Sequence, residues 1–529
     1  LRFILALWAA LLWPAPAFAA WMEASSPNFV VYSDDSERSL RTFTERLELY
    51  HEALELLTGG DVPPPSRSNR LTIFVLRDQR SVSRLHGDSN IAGFYRPRAG
   101  ASVAVVPDVE NVTGSQAFSM QVLLHEYAHH FLIANTSFAM PRWFSEGSAE
   151  FYASAVFHRD GRLQLGMPNH ARAGELAYAS NVTAEELLDP AAYAARHKGG
   201  NNAFYGKAWA LYHYLVMERA RSGQLSAYLK ALEQGKGARS AAETAFGDLA
   251  LLERELKAYL RRPSMSTLNI QAGRLQGGAV TLRRLSEGEA AMMPVRIRSQ
   301  SGVTPEIAAE LVLEARRIAA RFPDEAAVLT ALAETEYDAG HLDQTIAAAD
   351  AALAIDPDQA NAYVQKGYAL FARARSAMDR VEAYRAAVAP FLALNAREPD
   401  HAIPLIYFYR SFIGRGAAPN DNALAALERA ARIAPYDRGL QIEMARQHLR
   451  LGRLDKARQS LTVIAAAPHG GTMAERARLA IERIDAGQPV DEKALSAPAT
   501  PSVATEAVRG EGDDADVDGE DEPAGQGQR

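Results

Sequence analysis

Residues 115–150 read SQAFSMQVLLHEYAHHFLIANTSFAMPRWFSEGSAE, and the fold of the first half of the chain turns on them. Phe118, Val122, Leu123, Tyr127, Phe131 and Leu132 recur every three or four residues. That spacing predicts an amphipathic helix over 115–134, with Ser115 as its N-cap. A loop containing Pro141 follows, and 146–157 reads as a second helix. His125 and His129 are four residues apart, so a helix sets them one turn apart on one face, where both imidazoles can reach a single ion. Glu126 sits beside them. A catalytic zinc needs three protein ligands and one open position, so two histidines on one helix require a third donor from another element. Glu146 or Glu150 can supply it. Zinc lowers the pKa of a bound water, and a neighbouring carboxylate can take the proton as hydroxide attacks a carbonyl, which is the chemistry of peptide hydrolysis.

Upstream, 28–33 (NFVVYS) and 71–76 (LTIFVL) read as strands, 37–57 as an amphipathic helix, and 61–66 as a linker. Residues 93–98 and 101–106 read as an antiparallel hairpin, giving a small mixed sheet. Downstream, 204–221 and 225–262 read as helix, and 263–304 as a connector with some strand. From Pro305 the chain is alanine-rich and helical. Pro323 and Pro357 lie 34 residues apart, each followed by Asp, and Pro399, Pro435 and Pro468 follow at intervals of 42, 36 and 33. Past about Leu495 apolar periodicity is lost, which predicts a disordered acidic tail over 491–529.

The whole chain has 529 residues, too many for one hydrophobic core, and domain size predicts about two to four domains. Hydrophobic residues make up 48% and charged residues 23%, the balance of a soluble globular protein. The formal charge is −7, but residues 506–529 alone hold nine acids against two arginines, so the remainder is nearly neutral and offers no basic patch for nucleic acid. Arg2, an apolar run over 3–13, Pro14, Pro16 and the small-x-small pattern Ala17-Phe18-Ala19 describe a signal peptide over 1–19. The expected product is exported, periplasmic or secreted, and soluble, with no stable membrane span in the mature chain. With no cysteine present, a zinc ion must be held by His, Asp or Glu.

His125-Glu126-x-x-His129 followed by Trp143-x-x-Glu146-Gly147-x-Ala149-Glu150 resembles the gluzincin metallopeptidases, especially peptidase MA-like proteins and the aminopeptidase N group. The resemblance covers about 26–262 and implies an α+β zincin-like peptidase domain over 20–262, a small mixed sheet with active-site helices. It further implies one Zn²⁺ per chain, ligated by His125, His129 and Glu146, with Glu126 as general base. Glu150 would orient a zinc histidine, and Tyr205, in a segment similar to the Y-x-K-G of those enzymes, would hydrogen-bond the oxyanion. Read from the residues alone, Tyr205 is equally a core tyrosine. The spacing of 16 residues between His129 and Glu146 is shorter than the usual gap, leaving Glu146 and Glu150 as alternatives. The chain lacks the G-x-M-E-N motif with which aminopeptidases grip a free amino terminus, so endopeptidase action is expected. The strand over 101–106 is the expected partner of an extended peptide.

Tyr337, Gly340 and the small residues over 347–352, with the proline spacing, resemble tetratricopeptide repeats over 305–490. The resemblance implies an all-α repeat domain whose concave surface recruits a substrate or protein partner. The competing expectation is an interaction scaffold carrying a zinc-binding but catalytically silent peptidase-like domain. His130, one position past the motif, points away from the metal face and is expected to be structural, as are the isolated His86, His158, His197 and His213.

Overall fold

The computed structural model describes residues 21–59, 64–86, 91–107, 118–136, 138, 140–168, 170–197, 201–467, 470–495 and 506–509. The expected signal peptide and the Ser115 cap lie outside them. Five strands open the chain: β1 (Met22–Ser25), β2 (Phe29–Ser33), β3 (Leu71–Leu76), β4 (Ile91–Arg96) and β5 (Val103–Pro107). β2, β3 and β5 are parallel and carry apolar residues on both faces, as strands buried on two sides must. Val31, Ile73, Val75, Ala104 and Val106 meet α1 (Glu37–Thr58) and a helix containing His125. Tyr32, Phe74, Phe94, Val103 and Val105 turn the other way, against α2 (Gln79–His86) and the helix Glu287–Ser301. α1 starts where Ser36 Oγ accepts from the Ser39 amide and stops at Gly59, whose φ of 75° only glycine adopts without strain.

α3 (Phe118–Asn135) and α4 (Arg142–Ala153) carry the motif. Contrary to the amphipathic expectation, α3 is buried on nearly all sides, because α1, β4, β5 and α4 surround it. The second helix begins at Arg142 rather than 146, since the Pro141 carbonyl accepts from the Phe144 and Ser145 amides. β6 (Val156–Phe157), β7 (Leu163–Leu165) and β8 (Leu268–Ile270) make a separate three-stranded sheet. β9 (Thr281–Arg284) pairs with β1, and β10 (Glu506–Arg509) with β4, so the large sheet runs β10-β4-β5-β3-β2-β1-β9.

Two expectations are corrected here. The expected connector over 263–304 holds the expected strand, as β8 and β9, but also the helix Glu287–Ser301, which a capping box of Ser286 and Glu289 starts and which continues through Pro294. Of the expected disordered tail over 491–529, the helical turn at Glu492–Leu495 and β10 are described, and 496–505 and 510–529 lie outside the described residues. The strand expected to receive a peptide, 101–106, is interior, with β3 on one side and β4 on the other.

Beyond Pro305 the described chain is a run of helices in which each packs on the next, from Pro305–Arg321 to Thr472–Asp485. Pro323, Pro357, Pro399 and Pro435 fall in the turns, and the extra length before Pro399 holds two short helices, Arg380–Ala387 and Ala389–Arg397. Pro468 lies outside the described residues. The array closes onto the sheet module through defined contacts. Ser68 donates its amide and hydroxyl to Glu398, Asn69 Nδ2 donates to the Asp400 carbonyl, and the Ala99 amide donates to Asp437 Oδ2 at 2.9 Å. Among the described residues no helix is long and apolar enough to cross a membrane.

Gly147 lets α4 lie against the helix Phe204–Met217, where an added Cβ would run into the Ala208 carbonyl. Gly147→Ala should therefore destabilise the fold by about 1–3 kcal/mol, the usual cost of overpacking. Thermal unfolding checks it, and an unchanged midpoint would show that the two helices part freely.

Candidate metal centre

α3 sets His125 and His129 one turn apart, with Nε2 to Nε2 at 3.0 Å and the rings edge to face. α4 brings the carboxylate. Trp143, fully buried, anchors the first turn of α4 by donating Nε1–H to the Tyr228 hydroxyl at 3.2 Å. One turn on, Glu146 Oε2 lies 3.4 Å from Nε2 of both histidines, and its side chain is 0% exposed. One donor atom from each of the three residues falls within 4.8 Å of the others, so His125, His129 and Glu146 can hold a metal ion. Two imidazole nitrogens and one carboxylate oxygen, without thiolate, form a donor set that zinc accepts.

The nitrogens facing away from this point are also engaged. His125 Nδ1 lies 3.5 Å from Glu150 Oε1, and His129 Nδ1 hydrogen-bonds Ser145 Oγ at 3.1 Å. Glu150 thus addresses the rear of His125, whereas Glu146 meets both Nε2 atoms. Glu150 is itself held by Arg172 Nη2 at 2.9 Å, and Arg172 Nη1 also meets Glu175 at 3.1 Å. Glu126, 2% exposed, follows His125 on α3. Burial alone would lower the His125 pKa, but Glu146, Glu150 and Glu126 outweigh it and push it up to about 9. The cluster favours positive charge at this position.

Tyr205 opens the helix Phe204–Met217 and is partly buried. The charge of Glu146 first, and burial second, raise its pKa to about 12, so the phenol stays protonated beside the Glu146 carboxylate. Two guanidinium groups flank it: Arg142 lies 4.1 Å from the Phe204 ring centroid and 5.6 Å from that of Tyr205, and Arg172 lies 5.1 Å from Tyr205. The Arg142 charge works against that rise. Ser145, Arg142, Arg172 and Glu175 were not legible as site residues. Ser145 and Arg142 adjoin the motif, but nothing in their spacing marks them, and the other two arrive through tertiary packing alone.

His130 is structural. Its Nδ1 hydrogen-bonds the Tyr95 hydroxyl at 2.5 Å, its ring packs at a tilt against Tyr436 of the helical array with centroids 4.3 Å apart, and burial pushes its pKa down to about 4. A small apolar cleft of about 70 Å³ lies there, between the two modules, lined by Ile133, Phe138, Tyr436 and Ile464 and touching His129 and Ser145. His213 is likewise a core residue, bonded to the Gly166 carbonyl and to Tyr259.

No family model and no curated protein matches the chain. Among solved structures it is similar to TTC0263, a thermophilic TPR protein in Thermus thermophilus, at 18% identity and a TM-score of 0.28 over 34% of this chain and 91% of that one. It is also similar to MamA 41-end from Desulfovibrio magneticus RS-1, at 14% identity and a TM-score of 0.26 over 39% of this chain and 99% of that one. A MamA RS-1 ArsTM double mutant matches at 15% identity and a TM-score of 0.27, over 34% and 95%.

The two carboxylates should separate by metal retention after dialysis against Zn²⁺-free buffer. Glu146→Ala is expected to lose the ion, while Glu150→Gln keeps it with affinity lower by roughly 10–100-fold, as for residues behind a ligand. Full retention by Glu146→Ala would reassign the third donor.

Proposed function

We propose that the chain is a zinc-dependent peptide-bond hydrolase of gluzincin type, acting as an endopeptidase. The observation that carries this reading is the convergence of His125, His129 and Glu146 in a buried site that Glu126 and Tyr205 adjoin. His125, His129 and Glu146 would hold the ion, and a bound zinc supplies Lewis acidity and a water of lowered pKa. Glu126 takes the proton of the attacking water and returns it to the departing amine. Arg142 has donors only, so toward this neighbouring guanidinium the phenolic oxygen of Tyr205 can only accept. The single Tyr205 proton is left to donate to the oxygen that gains charge in the tetrahedral state. Glu150 and Ser145 hold the imidazoles in orientation.

In this reading the helices from Pro305 onward are tetratricopeptide-like repeats that recruit the substrate or a protein partner, on an exported chain. Recruitment is supported by a polar cleft of about 610 Å³ between the sheet module and the repeats. The sheet module contributes Glu23, Arg70 and Arg98 to its lining and the helical array Glu334, Asp356 and Asp358. A cleft bounded on both sides suits an extended segment better than a globular surface. A segment held there gains effective concentration at the metal centre without any new contact in the site. The same cleft favours the second reading, an interaction protein whose metal domain is silent, and catalysis decides between them.

Glu126→Gln should retain zinc while kcat on unstructured peptides falls by about 10²–10⁴. Persisting turnover would remove Glu126 as the base. Tyr205→Phe is expected to lower kcat by about 10²–10³ with KM nearly constant. Arg142→Met should act in the same direction and add little to Tyr205→Phe, since Arg142 acts here through the neighbouring phenol.

A further inference from the structure

The packing determines which border of the sheet overlies the candidate metal centre. α1 and α3 cover the same sheet face, α1 against β1 and β2, α3 against β4 and β5. α4 packs on α3, and His125 and His129 reach toward Glu146 on α4. Tyr95 of β4 bonds His130 on α3 and lines one cleft with His129 and Ser145, so the β4 border of the sheet lies beside the candidate site.

Without the C-terminal segment β4 would be the outermost strand there, since β5 takes its other side. An outer strand presents a row of backbone N–H and C=O groups, a ready template for an extended peptide. In this chain the row is taken. Glu506 lies opposite Tyr95, Ala507 opposite Phe94 and Val508 opposite Gly93 in antiparallel register, with a shift before Arg509 meets Ile91.

We propose that the strand Glu506–Arg509 is an internal competitor for the peptide-docking edge of β4, and that it holds the candidate metal centre latent until it is displaced. This rests on the peptidase reading above. The strand has four residues and so few ladder bonds, which makes it easily displaced on its own. Its tether offsets that weakness. Leu495, 2% exposed, fixes the chain to the end of the helical array, and the ten residues 496–505 that follow can span at most roughly 33–36 Å. A short tether holds the segment at an effective concentration on the order of millimolar beside its own edge. A substrate must therefore outcompete it, or a partner must draw it away.

The test uses the full chain with two separate substitutions, Ala507→Pro and Val508→Pro. In an antiparallel pair, successive residues direct their N–H alternately toward and away from a given neighbour, so one proline removes a ladder bond and the other serves as control. Amide exchange at 91–95 and turnover of an unstructured peptide mixture are measured on both variants and the parent. One variant is expected to exchange at least tenfold faster at β4 and to hydrolyse peptide with at least tenfold higher kcat/KM. A free peptide of sequence SVATEAVRG should restore the parent's rate. Equal exchange at β4 in all three chains overturns occupancy of the edge, and equal turnover in all three overturns latency while leaving the peptidase reading intact. If no chain hydrolyses peptide and none retains zinc, the peptidase reading falls and latency with it.

Discussion

Three carboxylates and two imidazoles share the small volume where α3 crosses α4. Glu126, Glu146 and Glu150 are 2%, 0% and 5% exposed. Taking even one carboxylate out of water costs several kcal/mol unless a charge or a set of donors compensates it. Arg172 answers Glu150, and Arg142 stands close enough to Glu146 to feel its charge, but both guanidinium groups lie at the margin of the site. At its centre the compensation comes from His125, drawn toward its protonated form, or from a divalent cation in its place. The crossing that creates the cost also creates the donor set. Trp143 bound to Tyr228 and Gly147 seated against Ala208 hold α4 where Glu146 meets both Nε2 atoms, so the fold is committed to a buried anionic site.

What could be read in advance follows from the range of the signal. β2, β3 and β5 were legible because parallel strands buried on both faces are written as unbroken apolar runs, and α3 because apolar residues recurring every three or four positions are a local mark of helix, which then sets His125 and His129 one turn apart. β1 was not legible. Its sequence, MEAS, is short and half polar, and it is a strand because β2 and β9 flank it, β9 arriving from about 256 residues away at Thr281. The helix Glu287–Ser301 was missed because Pro294 reads as a breaker, although the Ser286 and Glu289 capping box announces its start. Arg172 reaches Glu150 across 22 residues, a juxtaposition no periodicity encodes.

The two modules meet at few but specific points, and these points touch the site. Asp437 does two things at once: Oδ1 accepts from the Leu440 amide and caps its own helix, while Oδ2 accepts from the Ala99 amide in the turn between β4 and β5. Next to it, Tyr436 packs on His130, whose neighbour in sequence is the candidate ligand His129. The turn at Gly100 has a φ of 77° and so little room that an added Cβ would sit 2.6 Å from Ile403 of the helical array. The helices beyond Pro305 are thus not a freely tethered appendage.

That docking has a consequence for how a partner on the repeats could act. Packed aromatic rings and hydrogen-bonded caps have discrete seated arrangements rather than a continuum, so a ligand in the cleft between the modules shifts populations only by binding one arrangement more tightly than another. The helical array contacts the turn after β4 through Asp437 and α3 through Tyr436 and His130. A change of arrangement at this seam would therefore act on the turn after β4 and on α3, the helix that carries His125 and His129, together.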